Sequence, residues 1–176
     1  MSDSAKVTKD PRTQPRRELT FTRFQEVLAD LVQLRRGYEA GTLVATGNWD
    51  AGAIFRHLAI PMECSMDGFP RKPPLLMRLL GRWILRPVVL RKKRFDPGVR
   101  LDKRTESAIW KSVPFLEGYT HYEKQLKRLI AGAPMPHAHV IFGPMNQQQW
   151  MEFHLKHCAL HMSFIWPDGV GQKPSV

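Results

Sequence analysis

Apolar residues recur along the chain at helical spacing. Phe24, Val27, Leu28, Leu31 and Leu34 share one face, which predicts a first helix capped by Thr20 or Thr22 and ended by Gly41 soon after Tyr38. Gly47-Asn48-Trp49-Asp50 reads as a turn into a second helix from about Ala51 to about Asp67. Asp50 is its cap, since a carboxylate there accepts from the orphan amides of the first turn. Ile54, His57, Leu58, Pro61 and Ser65 form its inner face, Pro61 is expected to bend it, and Gly68 and Pro70 close it. A third helix is predicted between about Thr105 and Ala131, with Ile109, Val113, Leu116, Tyr122, Leu126 and Leu129 as its stripe. Pro114 either kinks this helix or starts a shorter one capped by Ser112 or Val113. After a loop from Gly132 to Pro144, Asn146 caps a fourth helix, Gln149 completes a capping box, and Pro167 and Gly169 end the element. No strand pattern competes with the helices.

Four long helices predict an all-α fold, a four-helix bundle. The first and third connections are short, so those neighbours run antiparallel. The second connection spans more than thirty residues, enough for a crossover that lets helices two and three run parallel. In this up-down-down-up order the start of the second helix and the end of the fourth share one end of the bundle. Residues 1–17, polar and carrying Pro11 and Pro15, read as a flexible lead. The bundle occupies 18–167, and 168–176 form a flexible tail.

Charge changes the picture in one place. The 176 residues carry a formal net charge of +11, and twelve Lys/Arg against Asp96 and Asp102 lie between Arg71 and Arg104. The excess therefore belongs to the crossover, and so does any electrostatic partner. There Leu75, Leu76, Leu79, Leu80, Trp83 and Ile84 lie on one side of a short amphipathic helix, and Arg78, Arg82 and Arg86 recur on another. Arg91, Lys92, Lys93 and Arg94 follow. Such a segment can lie on an anionic membrane surface or hold the phosphates of a nucleic acid. The plainer expectation is that its leucines cover the bundle and its arginines face water. Few aromatics are interleaved with the charges, which argues against single-strand stacking. Two cysteines make no disulfide framework and no run is long enough to span a membrane, so the expected compartment is the cytoplasm.

The candidate chemistry lies in the histidines. His154, His157 and His161 form one row on the fourth helix, flanked by Trp150, Phe153, Phe164 and Ile165. Stacked buried imidazoles are hard to satisfy with protein groups alone, whereas a metal ion satisfies them directly. His57 points inward about two turns into the second helix, so three imidazoles can converge across the bundle core. The plainer reading is satisfied core histidines without metal. Cys158 stands where a zincin has Glu, so the HExxH motif and its general base are absent.

One histidine early in the second helix and an HxxxH pair late in the fourth resemble the metal signature of the DinB/YfiT-like superfamily of four-helix bundles. The chain more closely resembles an uncharacterised branch, domain of unknown function 1569. It does so at RRELTF (Arg16 to Phe21), GNW followed by HLA (Gly47 to Trp49, His57 to Ala59) and DGFP (Asp67 to Pro70). It does so again at HVIFGPM (His139 to Met145) and in the run from Trp150 to Pro167. Val140 departs from this pattern, where Pro is expected after His139. The resemblance implies His57, His157 and His161 as metal ligands. It implies a fold shared with metal-dependent thiol S-transferases, a thiol-dependent isomerase and hydrolases.

Three neutral ligands leave an open position of the kind that catalytic sites keep, and zinc, nickel or iron suits imidazole. The expected function is a metal-dependent transferase or hydrolase acting on a small molecule, with a low-molecular-weight thiol as a second cofactor. The alternative is a non-enzymatic binding protein that contacts membrane or nucleic acid through residues 71–104. His154, His139 and Glu63 are candidates to orient ligands or relay a proton. Cys64 and Cys158 read as small buried residues, His121 and His137 as surface or loop residues, and a homodimer is compatible with the fold.

Overall fold

The computed structural model describes residues 9–70, 79–98 and 112–170. Helices dominate. The order is α1 (Phe24–Glu39), β1 (Val44–Ala45), α2 (Ala51–Asp67), a π-helical turn (Gly81–Leu85) running into α3 (Arg86–Arg91), α4 (Phe115–Ile130), α5 (Gln147–Met162) and β2 (Ile165–Trp166). The four long helices enclose one core, in which Leu31, Leu34, Ile54, Phe55, Leu58, Met62, Tyr122, Leu126, Trp150 and Met162 are fully buried.

Local chemistry explains most of the helix ends. Asp50 accepts from the Ala53 amide at 2.7 Å and starts α2. Asn146 and Gln149 close a reciprocal capping box on α5 at 2.8 and 3.1 Å. At α1 the expected threonine cap is reversed: Arg23 is the N-cap residue and makes no capping bond, while the Glu26 carboxylate accepts from the Thr22 amide at 2.7 Å and from its hydroxyl. Gly41 takes φ +73°, the left-handed turn that ends α1.

Pro114 stands at the N-cap of α4, so the helix begins after it, and its inner face also differs from the expected stripe. Leu116 precedes Tyr122 by six residues and is exposed, and the inner face is Gly118, Tyr119, Tyr122, Gln125, Leu126 and Leu129. Val113 lies outside the helix, and the predicted stretch from Thr105, with Ile109, falls outside the described residues.

α2 and α4 share the most extensive helix contact. It rests on two glycines: a Cβ on Gly118 would collide with the Gly52 carbonyl, and one on Gly52 with the Val113 carbonyl. The two backbones touch there because neither helix carries a side chain at the crossing.

Two short strands were not expected. β1 pairs antiparallel with β2, Val44 opposite Trp166 and Ala45 opposite Ile165. Strands of two residues are too short for an alternating pattern to show. They matter because β1 leads into α2 and β2 follows α5, which fixes the start of α2 and the end of α5 at the same end of the molecule. Residues 9–17, expected to be flexible, are anchored to this end. Lys9 and Asn48 exchange two bonds of 2.8 Å, the Thr46 hydroxyl donates to the Pro15 carbonyl, and the Arg17 amide donates to the Ser163 carbonyl. The Arg17 guanidinium grips Asp30 with bonds of 2.7 and 2.8 Å and also donates to the Met162 carbonyl. This largely buried pair joins the lead, α1 and the end of α5.

The crossover also differs from expectation. Its described helical part has Leu79, Leu80, Trp83 and Ile84 exposed, while Arg86 turns inward and donates to Gln149 Oε1 at 3.0 Å. The cause is the π turn: the Arg86 amide bonds the Gly81 carbonyl five residues back, so Gly81 and Arg86 share the inner face. Gly81 sits against Ile141, whose carbonyl would collide with any Cβ there. Leu75, Leu76 and Arg78 lie outside the described residues.

The Gly52–Gly118 crossing yields a direct test. Gly118→Ala is expected to lower the unfolding free energy by about 1–3 kcal/mol despite the better helix propensity of alanine. Thr120→Ala, an exposed change on the same helix, should stay within about 0.5 kcal/mol. Urea midpoints of the two variants, compared with the parent chain, decide it.

Candidate metal centre

His57 projects from α2, and His157 and His161 from the last turns of α5. The side chains meet as the spacing predicts. The Nε2 atoms of His57 and His157 are 3.0 Å apart, and the three ring centroids are 4.7 to 4.8 Å from one another. One donor nitrogen from each ring lies within 4.8 Å of the others. Two nitrogens held at a zinc–nitrogen distance of about 2.05 Å in a tetrahedron stand ~3.3 Å apart, so the His57–His157 pair has nearly that separation and the third ring is within a small side-chain adjustment. The donor set fits a divalent ion: three imidazoles and, among the described residues, no carboxylate in the cluster.

Burial also selects the protonation state. It holds His157 down at about 4. Burial, and then the neighbouring His157, push His57 and His161 well below the ordinary histidine range. All three are neutral near pH 7, the form that donates a lone pair to a metal. His157 Nδ1 is buried and has no hydrogen-bond partner among the described residues. His57 and His157 remain partly exposed, so the cluster opens toward solvent on one side, while His161 is buried at 9 % exposure. Phe153 packs 5.5 Å from the His157 ring and Trp49 lies 6.2 Å from the His161 ring. These two aromatics form walls beside the cluster: Phe153, which flanks the histidine row in the sequence, and Trp49, which read as part of the turn before α2 and of the family resemblance.

The other candidates separate. His154 shares the helix row but not the cluster. It is fully buried, stacks on Trp150 and approaches Ser65 Oγ at 3.2 Å. The Ser65 hydroxyl gives its proton to the Met62 carbonyl at 2.7 Å, so it accepts from His154 Nε2–H. That fixes the His154 tautomer and holds α5 against α2. His139 Nδ1 accepts from the amides of Ile141 and Phe142, both at 3.1 Å, and its ring packs among Phe142, Phe153, Trp150 and Phe69. Burial, followed by His157, lowers it to about 3. His139 is thus a neutral wedge beside Phe153, which itself contacts His157.

Glu63 faces away from this arrangement and pairs with His121 at 2.9 Å on a partly exposed surface. Cys158 is fully buried, accepts from the Tyr122 hydroxyl at 2.9 Å, and has its thiol pushed up to about 12 by burial. It stays protonated and packs as a small apolar group. The Cys64 thiol is raised by burial and by the charges of Glu63 and Asp67. Neither thiol has the environment of a nucleophile.

The family model described as Protein of unknown function (DUF1569) matches residues 13–168, a span that takes in all three clustered histidines. No curated protein and no solved structure matches the chain.

Burial of neutral histidines makes stability depend on pH. In the unfolded chain these rings take up protons as pH falls through ~6.5. In the folded chain His157 stays neutral to about 4 and His139 to about 3. The unfolded state then binds more protons, so stability falls with pH from ~6.5 downward, by about 1.4 kcal/mol per pH unit for each such ring. Urea unfolding of chelator-treated protein should therefore give a midpoint that is flat above neutrality and drops steeply between pH ~6.5 and ~5. A flat profile across that interval would contradict the buried, neutral assignment.

Proposed function

The chain belongs to the family described as Protein of unknown function (DUF1569), and on that premise we propose a metal-dependent enzyme of the DinB-like kind, an up-down-down-up four-helix bundle with a three-histidine centre. The observation that carries the reading is the convergence of His57, His157 and His161 within 4.8 Å from two separate helices. Three protein ligands fit an open catalytic site better than a closed structural one, which takes four and favours thiolates. His57, His157 and His161 would hold a divalent ion with zinc-, nickel- or iron-like preference, and an ion held by three neutral ligands would lower the pKa of a bound water or thiol toward neutrality.

The chain's own residues set what can follow. His57 and His157 are the partly exposed members of the cluster, so a small molecule would approach on their side. Phe153 beside His157 and Trp49 beside His161 place apolar surface next to the cluster, which favours a partly apolar substrate. Ser65, through His154, keeps α5 in register with α2 and so keeps the ligand pair aimed at His57. Among the described residues no carboxylate belongs to the cluster, and Glu63 is engaged by His121. With the described residues alone, the proton of a bound water or thiol would leave to solvent or to the substrate. That suits a nucleophile acidic enough to ionise with help from one cation alone, which favours thiol S-transfer to an electrophile over hydrolysis of an amide.

A second reading, a non-enzymatic metal-binding or surface-binding protein, is favoured by one observation, the exposed apolar face of the crossover.

Protein purified without a histidine tag should hold about one equivalent of divalent metal. His57→Ala and His161→Ala should each lose most of it. Metal at a hundredfold excess over its dissociation constant should stabilise the parent chain by about 2.7 kcal/mol and leave the variants unmoved. Elemental analysis and thermal melts provide the readout; absence of both binding and stabilisation with zinc, nickel and iron sinks the proposal. For loaded protein, turnover of thiols with electrophilic acceptors, set against ester and amide substrates, separates the two reaction classes.

A further inference from the structure

Within the described segment from Leu79 to Arg91, Leu79, Leu80, Trp83, Ile84, Leu85 and Val88 are all exposed, Trp83 at 70 % and Ile84 at 57 %. Scattered apolar residues on a surface are ordinary, but six within ten consecutive positions form a contiguous ridge. The ridge is not a sign of a loose segment, because its opposite face is fastened. Gly81 sits against Ile141, Arg86 donates to Gln149 at 3.0 Å, and Lys156 Nζ donates to the Leu90 carbonyl at 3.2 Å. Beyond α3, Phe95 packs against Phe153 at 5.6 Å. Val89 and Leu90 also pack against the core, so the inner face is fully committed and the six exposed apolar side chains are held outward.

The charge around the ridge identifies what covers it. Arg82 lies over the Trp83 ring at 5.6 Å, and Arg91, Lys92, Lys93 and Arg94 follow, all exposed; Asp96 is the one acid among residues 79–98. An apolar ridge with a cationic rim matches an anionic bilayer, where acyl chains meet the ridge and headgroup phosphates meet the rim. A nucleic acid would use the cations but has nothing for four exposed Leu and Ile side chains to contact, and Trp83 is the ridge's single ring for base stacking. A second copy of the chain placed on the same ridge by a two-fold axis would bring two cationic rims together. Among the described residues no helix is long and apolar enough to cross a membrane, so contact through this segment lies in the plane of the surface.

We propose that the Leu79–Arg94 segment is a docking surface for anionic lipid bilayers, with Trp83 and Ile84 entering the interface and Arg82, Arg91, Lys93 and Arg94 meeting the phosphates. This proposal stands apart from the metal reading, since it uses none of the histidines. The test is co-sedimentation of the full chain with vesicles of phosphatidylcholine, with and without phosphatidylglycerol. The expected result is retention on the anionic vesicles alone, reduced several-fold between about 0.1 M and 0.5 M salt. Trp83→Ser combined with Ile84→Ser should weaken it by roughly tenfold or more. Arg91→Gln, Lys93→Gln and Arg94→Gln together should remove the preference for the anionic lipid. The altered side chains are exposed, so thermal melting of both variants should match the parent. Three outcomes overturn the proposal: no retention of the parent chain; retention unaffected by the Trp83/Ile84 change; or a dimer in sedimentation velocity that this change dissolves while vesicles bind nothing.

Discussion

Two imidazole nitrogens 3.0 Å apart on different helices need either a shared proton or a shared cation. A third neutral ring, His161, offers a donor nitrogen within 4.8 Å of the other two, and a single cation can take a lone pair from all three where a single proton joins only two. The architecture at this end of the molecule brings these rings together. The β1–β2 ladder ties the chain entering α2 to the chain leaving α5. Arg17 fastens the lead to Asp30 and to the Met162 carbonyl, next to His161. His154 and Ser65 join the same two helices about one turn further in. A cluster on two helix ends would be vulnerable to fraying, and here each end is held by a strand, an ion pair or a buried polar bond.

Much of this was legible because it is local. The α2 boundaries follow from Asp50 at one end and Gly68 at the other. The start of α5 follows from the Asn146/Gln149 box. The i, i+4 spacing of His157 and His161 places both rings on one face, and a long second connection is enough to bring His57 to the same end. The features that escaped depend on other segments. Strands of two residues have no period. Residues 9–17 look polar and loose until Asn48, Thr46 and Ser163 supply their partners. Leu116 lies six residues before Tyr122 and so off its face, whichever way Pro114 is read, and it is exposed.

The crossover shows a different failure. Reading Leu79, Leu80, Trp83 and Ile84 as the covering face assumed regular α periodicity. A single π turn shifts the phase, so that Gly81 and Arg86, five apart, face the same way. Gly81 permits the approach to Ile141 that a side chain would block. One glycine and one extra residue per turn therefore decide which face of the segment meets water. A pattern of apolar and basic residues carries no information about that phase.

The histidine cluster and the crossover are physically connected. Phe95, just beyond α3, packs on Phe153; Phe153 packs on His157 and on His139. His139 in turn is clamped by the Ile141 and Phe142 amides, and Ile141 is the residue on which Gly81 rests. The segment that presents the apolar ridge therefore also supports one wall of the histidine site, through two separate chains of contact. Displacement of the ridge would therefore reach His157 through Phe95 and Phe153.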